Sequence, residues 1–230
     1  MLSDGTSTNY TFKIVLLGEG KVGKTSIIMR FVHDQFNKQH QQTIQAAFLN
    51  KKINFEYDDN RQVRCSLNIC DTAGQEIFHS LGPIYYRGSN GAILVYDISN
   101  QDSFEKIKMW IKELKKVVGD DIACVIVGNK IDLVKDGKIQ YDISPHLEYA
   151  KSQNALHFLT SAKHNENIDE LFLEISKQMI KAHDEKQTAN ATLNRSNSMR
   201  RRLRVEDENT QNDESGVNTQ SGNSSRCCGI

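Results

Sequence analysis

Gly18-Glu-Gly-Lys-Val-Gly23-Lys24-Thr25 fits the spacing G-x-x-x-x-G-K-[ST]. It directly follows a short apolar run, Phe12 to Leu17, and directly precedes a helix-compatible segment, Lys24 to Val32. That strand-to-helix context is what the motif requires, and it argues against a merely flexible glycine-rich turn. Glycines let the backbone curl until successive N–H groups point into one hollow. Such a hollow, together with a helix N-terminus, attracts phosphate oxygens. Lys24 adds a point charge for the β- and γ-phosphates of a nucleotide, and the Thr25 hydroxyl is a hard oxygen ligand for Mg²⁺.

The loop alone specifies a nucleoside triphosphate and leaves the base open. Asn129-Lys130-Ile131-Asp132 follows a strand-like run, where open α/β sheets bind ligands. The Asp132 carboxylate can accept from both N1–H and the 2-amino group of guanine. Adenine offers neither donor and would leave the carboxylate unpaired, a mismatch that can discriminate by as much as ~10⁴-fold. Thr160-Ser161-Ala162-Lys163, after the last strand, can offer backbone N–H groups to the guanine O6. Asn129, Lys130, Asp132, Ser161, Ala162 and Lys163 are therefore the expected base-reading set.

A fourth motif is Asp71-Thr72-Ala73-Gly74-Gln75-Glu76. Asp71, at a strand end, can hold Mg²⁺ through water. Gly74 leaves room for a γ-phosphate against its backbone N–H. Gln75 carries a neutral donor–acceptor side chain suited to orienting a water for in-line attack. Hydrolysis of this kind relies on positioning and electrostatics, with little covalent chemistry left to the protein.

These motifs need strand ends to hold them. Six strand-like runs are present: Phe12 to Leu17, Phe48 to Tyr57, Gln62 to Cys70, Ala92 to Tyr96, Ala123 to Val127 and Leu156 to Leu159. In the third, Val63, Cys65, Leu67 and Ile69 share one face and Arg64, Ser66, Asn68 and Cys70 the other. Between the runs lie helical patterns. Phe104, Ile107, Ile111 and Leu114 form one apolar stripe, and Ile168, Leu171, Phe172, Ile175 and Met179 form another. The alternation predicts an α/β domain with a mostly parallel sheet and right-handed crossovers. The Phe48–Cys70 hairpin supplies one antiparallel edge strand.

The chain has 230 residues, and its 29 Lys+Arg balance 29 Asp+Glu. Zero net charge argues against a general nucleic-acid binder. No apolar run approaches the ~20 residues of a membrane helix. Residues Met1 to Tyr10 lack the basic-then-apolar order of a signal peptide, so a cytosolic chain is expected. Cys65, Cys70 and Cys124 read as reduced core thiols without zinc-ligand spacing. The reading divides the chain into an N-terminal extension (1–11), a nucleotide-binding domain (12–183) and a disordered tail (184–230). The tail has no aromatic residue and few aliphatics, too little apolar surface to offset chain entropy. Arg200, Arg201, Arg202 and Arg204 form its basic cluster, either a solvated charge run or a membrane or partner contact.

With all these motifs in order over Phe12 to His183, the chain resembles a small GTPase of the Ras superfamily, and specifically the Rab family. Thr43 lies at the family's spacing from Thr25 for the threonine that binds Mg²⁺ and senses the γ-phosphate. Tyr85-Tyr86-Arg87-Gly88 and Val95-Tyr96-Asp97-Ile98 are Rab-like blocks. Phe78 to Arg87 and Thr43 to Phe48 most resemble the endosomal branch. The resemblance implies a P-loop NTPase small G domain: a mostly parallel six-stranded sheet with one antiparallel edge strand and helices on both faces. It implies phosphate binding by Gly18, Gly20, Lys21, Val22, Gly23, Lys24, Thr25 and Gly74. It also implies Mg²⁺ held by Thr25, Thr43 and Asp71, and catalysis through Gln75.

The implied function is a monomeric GTP/GDP switch in vesicle or endosomal trafficking, slow without an activating protein. It would work on the cytoplasmic face of endosomal membranes and cycle with the cytosol. The implied partners are an exchange factor, an activating protein, a GDP-dissociation inhibitor and a prenylation escort, with no nucleic acid. Cys227 and Cys228, on a polar leash, are the expected sites for two prenyl chains, which anchor stably where one is marginal. A single-lipid reading through Cys227 stays open.

Two positions depart from the family. The effector-reading aromatic trio maps to Phe48, Cys70 and Tyr85, with Cys70 where Trp is usual. Lys21 replaces a small residue of the phosphate loop; it either attracts phosphate or points into water. Two other functions fit the motifs less well. A metabolic kinase would leave Asn129–Asp132 unexplained. A GTP-binding scaffold that hydrolyses little fits poorly with Gln75, Thr43 and Thr25.

Overall fold

The computed structural model describes residues 7–38, 43, 46–57, 60–72 and 82–213. The chain divides into two units, Met1–His183 and Asp184–Ile230.

The first unit is built on six strands: β1 (Thr8–Leu17), β2 (Ala47–Glu56), β3 (Gln62–Asp71), β4 (Gly91–Asp97), β5 (Ala123–Asn129) and β6 (Leu156–Thr160). Their order in the sheet is β2-β3-β1-β4-β5-β6. Every neighbouring pair is parallel except the β2–β3 hairpin, the expected antiparallel edge. The helices are α1 (Lys24–His33), α2 (Gly82–Tyr86), α3 (Gln101–Val118), α4 (Asp132–Lys135), α5 (Ser144–Ser152) and α6 (Ile168–Asp213).

Alternation along the strands sends side chains into two cores. On one face Ile14, Leu16, Cys65, Leu67 and Ile69 pack with Ile27, Ile28 and Phe31 of α1 and with the apolar stripe of α6. Phe31 stacks on Phe172. On the other face Val15, Leu17, Leu94, Tyr96 and Ile126 meet Phe104, Ile107, Trp110, Ile111 and Leu114 of α3. Each such side chain contributes roughly 1.5–3 kcal/mol when fully buried. Both stripes read from the helical periodicity are buried. The consequence for function is positional. β1, β3, β4, β5 and β6 run the same way, so Leu17, Asp71, Asp97, Asn129 and Thr160 all end at one edge of the sheet, beside the reversal in strand order.

Two boundaries differ from the sequence reading. Thr8–Thr11 is not an extension: it is the start of β1, in register with Val63–Ser66. Tyr10 is turned inward there and stacks on Phe12, so the inward alternation simply begins two residues earlier. The segment from Asp184 is not without structure as far as Asp213, because α6 continues to that residue. No Gly or Pro interrupts 184–213, and those are the residues that most oppose helix. The side chains from Glu185 to Thr192 are exposed, with Thr188 and Thr192 donating back to carbonyls one turn earlier.

Candidate functional site

β1 hands over to α1 through the glycine motif. Gly18 (φ 141°) passes so close to β4 that a Cβ on it would lie 2.1 Å from the Val95 carbonyl oxygen. Gly23 (φ 100°) caps α1, and a Cβ there would lie 2.4 Å from Asn129 Nδ2. Both positions demand glycine. Lys21 also has positive φ, 68°, without being glycine. It is exposed on the cleft wall, which the half-buried Gly20 and Gly23 also line, whereas Gly18 and Val22 are buried and do not. Lys24 is 5% exposed. Its Nζ donates to the carbonyls of Gly18 at 2.8 Å and Glu19 at 2.9 Å. Burial pushes the Lys24 ammonium down from 10.5 to about 8, while the charges of Asp71 and Glu19 oppose that shift. Glu19 is tethered to α3 by Lys106 at 2.7 Å.

Three oxygens converge at the first turn of α1. Thr25 Oγ1 donates to Asp71 Oδ2 at 2.6 Å and is 2.7 Å from Thr43 Oγ1. Thr72 fixes the end of β3 by donating to the Leu16 carbonyl at 2.6 Å. One carboxylate and two hydroxyls form a hard-oxygen set. That suits Mg²⁺, which takes one or two carboxylates and fills its remaining positions with water and substrate phosphate. Among the described residues no group of three His, Cys, Asp or Glu is assembled as an alternative metal site.

The base end is equally ordered. Asn129, 2% exposed, donates to the Val22 carbonyl at 2.9 Å and accepts from Thr160 Oγ1 and the Ala162 N–H, each at 3.3 Å. Ser161 Oγ donates to Asp132 Oδ1 at 2.8 Å, and Lys163 lies 3.6 Å from the other oxygen. Asp132, Ala162 and Lys163 line the cleft; Ser161 is fully buried behind it. Lys130, at φ 73°, is pinned by Asp97 at 2.5 Å. Sequence reasoning gave Asp97 no role, although a carboxylate ending the neighbouring strand was the available signal. Phe36, Asn37, Leu133 and Lys138 also line the cleft, and no spacing rule marked them.

The phosphate loop, Thr25, Thr43 and the base loop line one cavity of about 630 Å³, within the ~300–1,000 Å³ usual for ligand sites. Six lysines and one carboxylate, Asp132, are in its described wall. That balance favours a polyanion. Gly74, Gln75, Cys227 and Cys228 lie outside the described residues.

The expected effector trio divides. Phe48 is 66% exposed and Tyr85 half-buried, but Cys70 is 0% exposed. Cys70 faces Phe48 in the ladder, yet packs with Val15, Leu17 and Tyr86 in the second core. Its place on the effector surface is therefore corrected. At the end of β3 both faces of the sheet are covered, so Ile69, Cys70 and Asp71 are all buried.

A model of the Ras family matches residues 13–181. The chain belongs to the Ras family. Ras-related protein Rab-21 of Mus musculus is 48% identical over 215 residues, covering 93% of each chain. Its Homo sapiens counterpart is 49% identical over 209 residues, 90% of this chain and 89% of that protein. The Dictyostelium discoideum protein of that name is 50% identical over 197 residues, 83% of this chain and 90% of the relative. This Ras-family protein is thus a Rab GTPase, a switch in membrane trafficking. Nucleotide and Mg²⁺ dependence, regulators, effector recruitment and endomembrane association are general properties of such proteins. No helix among the described residues is long and apolar enough to cross a membrane.

Proposed function

We propose that this GTPase carries out its cycle in the cleft at the sheet edge, with the following division of labour. The loop N–H groups from Gly18 to Thr25 and the Lys24 ammonium bind the β- and γ-phosphates. Thr25, Thr43 and Asp71 hold Mg²⁺, which when bound neutralises phosphate charge. Asp132 and the 161–163 loop read guanine. Gly74 receives the γ-phosphate against its N–H, and Gln75 orients the attacking water. The observation that carries the reading is that Thr25 and Thr43 line the same cavity as Asp132, with the buried Asp71 bonded to Thr25 directly behind them.

The exposed aromatic Phe48, with Tyr85, anchors effectors in the GTP form. Cys227 and Cys228 carry prenyl chains that hold the protein on the cytoplasmic face of endosomes, and a dissociation inhibitor and escort handle those chains. An exchange factor and an activating protein set the pace of the cycle. Single-turnover assays test the core of this. The protein should hydrolyse GTP and ignore ATP. Gln75→Leu should keep GTP but hydrolyse it slowly even with an activating protein. Equal hydrolysis by Gln75→Leu and wild type would remove Gln75 from its role.

A further inference from the structure

The guanidinium of Arg30 makes four hydrogen bonds with three nitrogens. Nε donates to the Ala162 carbonyl at 3.1 Å and Nη2 to the Lys163 carbonyl at 3.3 Å. Nη1 donates to both the carbonyl and the Oδ1 of Asp34, each at 2.9 Å. The Arg30 side chain is 15% exposed and its bond to Ala162 is partly buried, while its Asp34 partner stands largely in solvent. A planar fork of donors can serve two peptide carbonyls on one side and a carboxylate on the other; an ammonium cannot.

What these partners do gives the arrangement its meaning. Ala162 and Lys163 line the base end of the cleft, and the Ala162 N–H is bonded to Asn129. Asp34, in left-handed conformation at φ 53°, ends α1 and turns the chain toward Phe36, Asn37 and Lys38, which line the cleft from another segment. Asn165 of the base loop also reaches Asp34 Oδ1, at 3.5 Å. Two wall segments of the base end thus hang from one side chain, rooted in the helix whose first residues, Lys24 and Thr25, serve the phosphate end.

We infer that Arg30 is a positioning residue that latches the 161–163 loop and the 34–38 segment around the guanine base, and so governs nucleotide release and guanine discrimination. The inference rests on the base-reading assignment above. Without Arg30 the loop keeps its bonds to Asn129 and Asp132 but loses its tie to α1. It then samples positions in which its N–H groups and Asp132 miss their partners, and guanine loses its advantage over bases lacking the 2-amino group.

The test is the dissociation rate of GDP and of inosine diphosphate from full-length wild type, Arg30→Ala and Arg30→Lys. Wild type should release inosine diphosphate much faster than GDP. Arg30→Ala should release GDP about tenfold faster, the scale of one hydrogen bond from a charged donor. The ratio between the two nucleotides should shrink at least about threefold. Arg30→Lys should shrink it less, and it serves alone if the alanine variant fails to fold. Equal acceleration of both nucleotides, with an unchanged ratio, would reduce Arg30 to a structural residue and overturn the inference. Wild type that fails to distinguish the two nucleotides would instead overturn the base-reading assignment, and the inference with it.

Discussion

Asn129 Nδ2 donates to the Val22 carbonyl oxygen over 2.9 Å, joining the end of β5 to the phosphate loop across 107 positions of sequence. Both residues are only 2% exposed. With the Ala162 N–H and the Thr160 hydroxyl on its Oδ1, this one amide fastens together three of the segments that form the cleft. Phosphate and base ends are therefore joined through a single side chain.

Asn129→Ala removes all three bonds and leaves buried partners unsatisfied. The cost is about 1–3 kcal/mol, or roughly 2–12 °C in thermal midpoint for a domain of this size. GDP release should accelerate in parallel. Calorimetry and stopped-flow release measured on the same sample check both; a destabilised protein with unaltered release would mean the amide braces the fold alone.

Glycine replacements separate backbone strain from collision. Gly88 (φ 73°) has nothing within 4 Å of a built Cβ, whereas at Gly23 (φ 100°) the Cβ meets Asn129 Nδ2 at 2.4 Å. Gly88→Ala should cost only the left-handed penalty, about 1–2 kcal/mol. Gly23→Ala should cost about 1–3 kcal/mol more and disturb nucleotide binding too. Urea titrations of both variants decide this, and equal midpoints would contradict it.

Acid should destabilise the folded protein through His157. Burial is the main cause, with His146 nearby, that pushes its imidazolium down from 6.5 to about 4, while Nε2 lies 2.9 Å from Tyr96 Oη. Between pH 4 and 6.5 the unfolded chain binds the extra proton, so stability rises with pH across that window and is lost as pH falls through it. His157→Gln should flatten the dependence of the thermal midpoint on pH over that range. Parallel curves for the two proteins would refute the assignment.

Much of this was legible because the chemistry follows from local patterns. A glycine loop between an apolar run and a helix, and polar tetrapeptides after strand-like runs, place their residues at strand ends without knowledge of the tertiary fold. Contacts that depend on distant partners were not legible. Arg30 looks like an ordinary helix arginine until the 161–163 loop is folded against it, and Asp97 looks like a strand end until Lys130 turns to it. The alternation of β3 put Cys70 opposite Val63, Cys65, Leu67 and Ile69, which is where it lies. Period two cannot say that a second layer covers that face as well. The helix over 184–213 was missed because low apolar content speaks against a packed core, which is a different matter from speaking against helix.

The three core cysteines should be inert. Cys65, Cys70 and Cys124 are buried, and burial raises each thiol from 9.0 to about 11; the thiolate is the reactive species. Of the five cysteines, at most Cys227 and Cys228 should react with a thiol reagent at pH 8 in the native, unlipidated protein, and all should react in denaturant. Rapid native labelling of Cys70 would place it on the surface after all.

The central claim is that Asp132 reads guanine in the cleft. Its most direct test is the affinity of wild type and Asp132→Asn for GTP and for xanthosine triphosphate, measured in Mg²⁺. Xanthine presents a carbonyl where guanine presents its 2-amino group, and an amide can donate to it. The account predicts that wild type prefers GTP and that Asp132→Asn weakens GTP while improving xanthosine triphosphate. A variant that keeps the wild-type preference for GTP would contradict it.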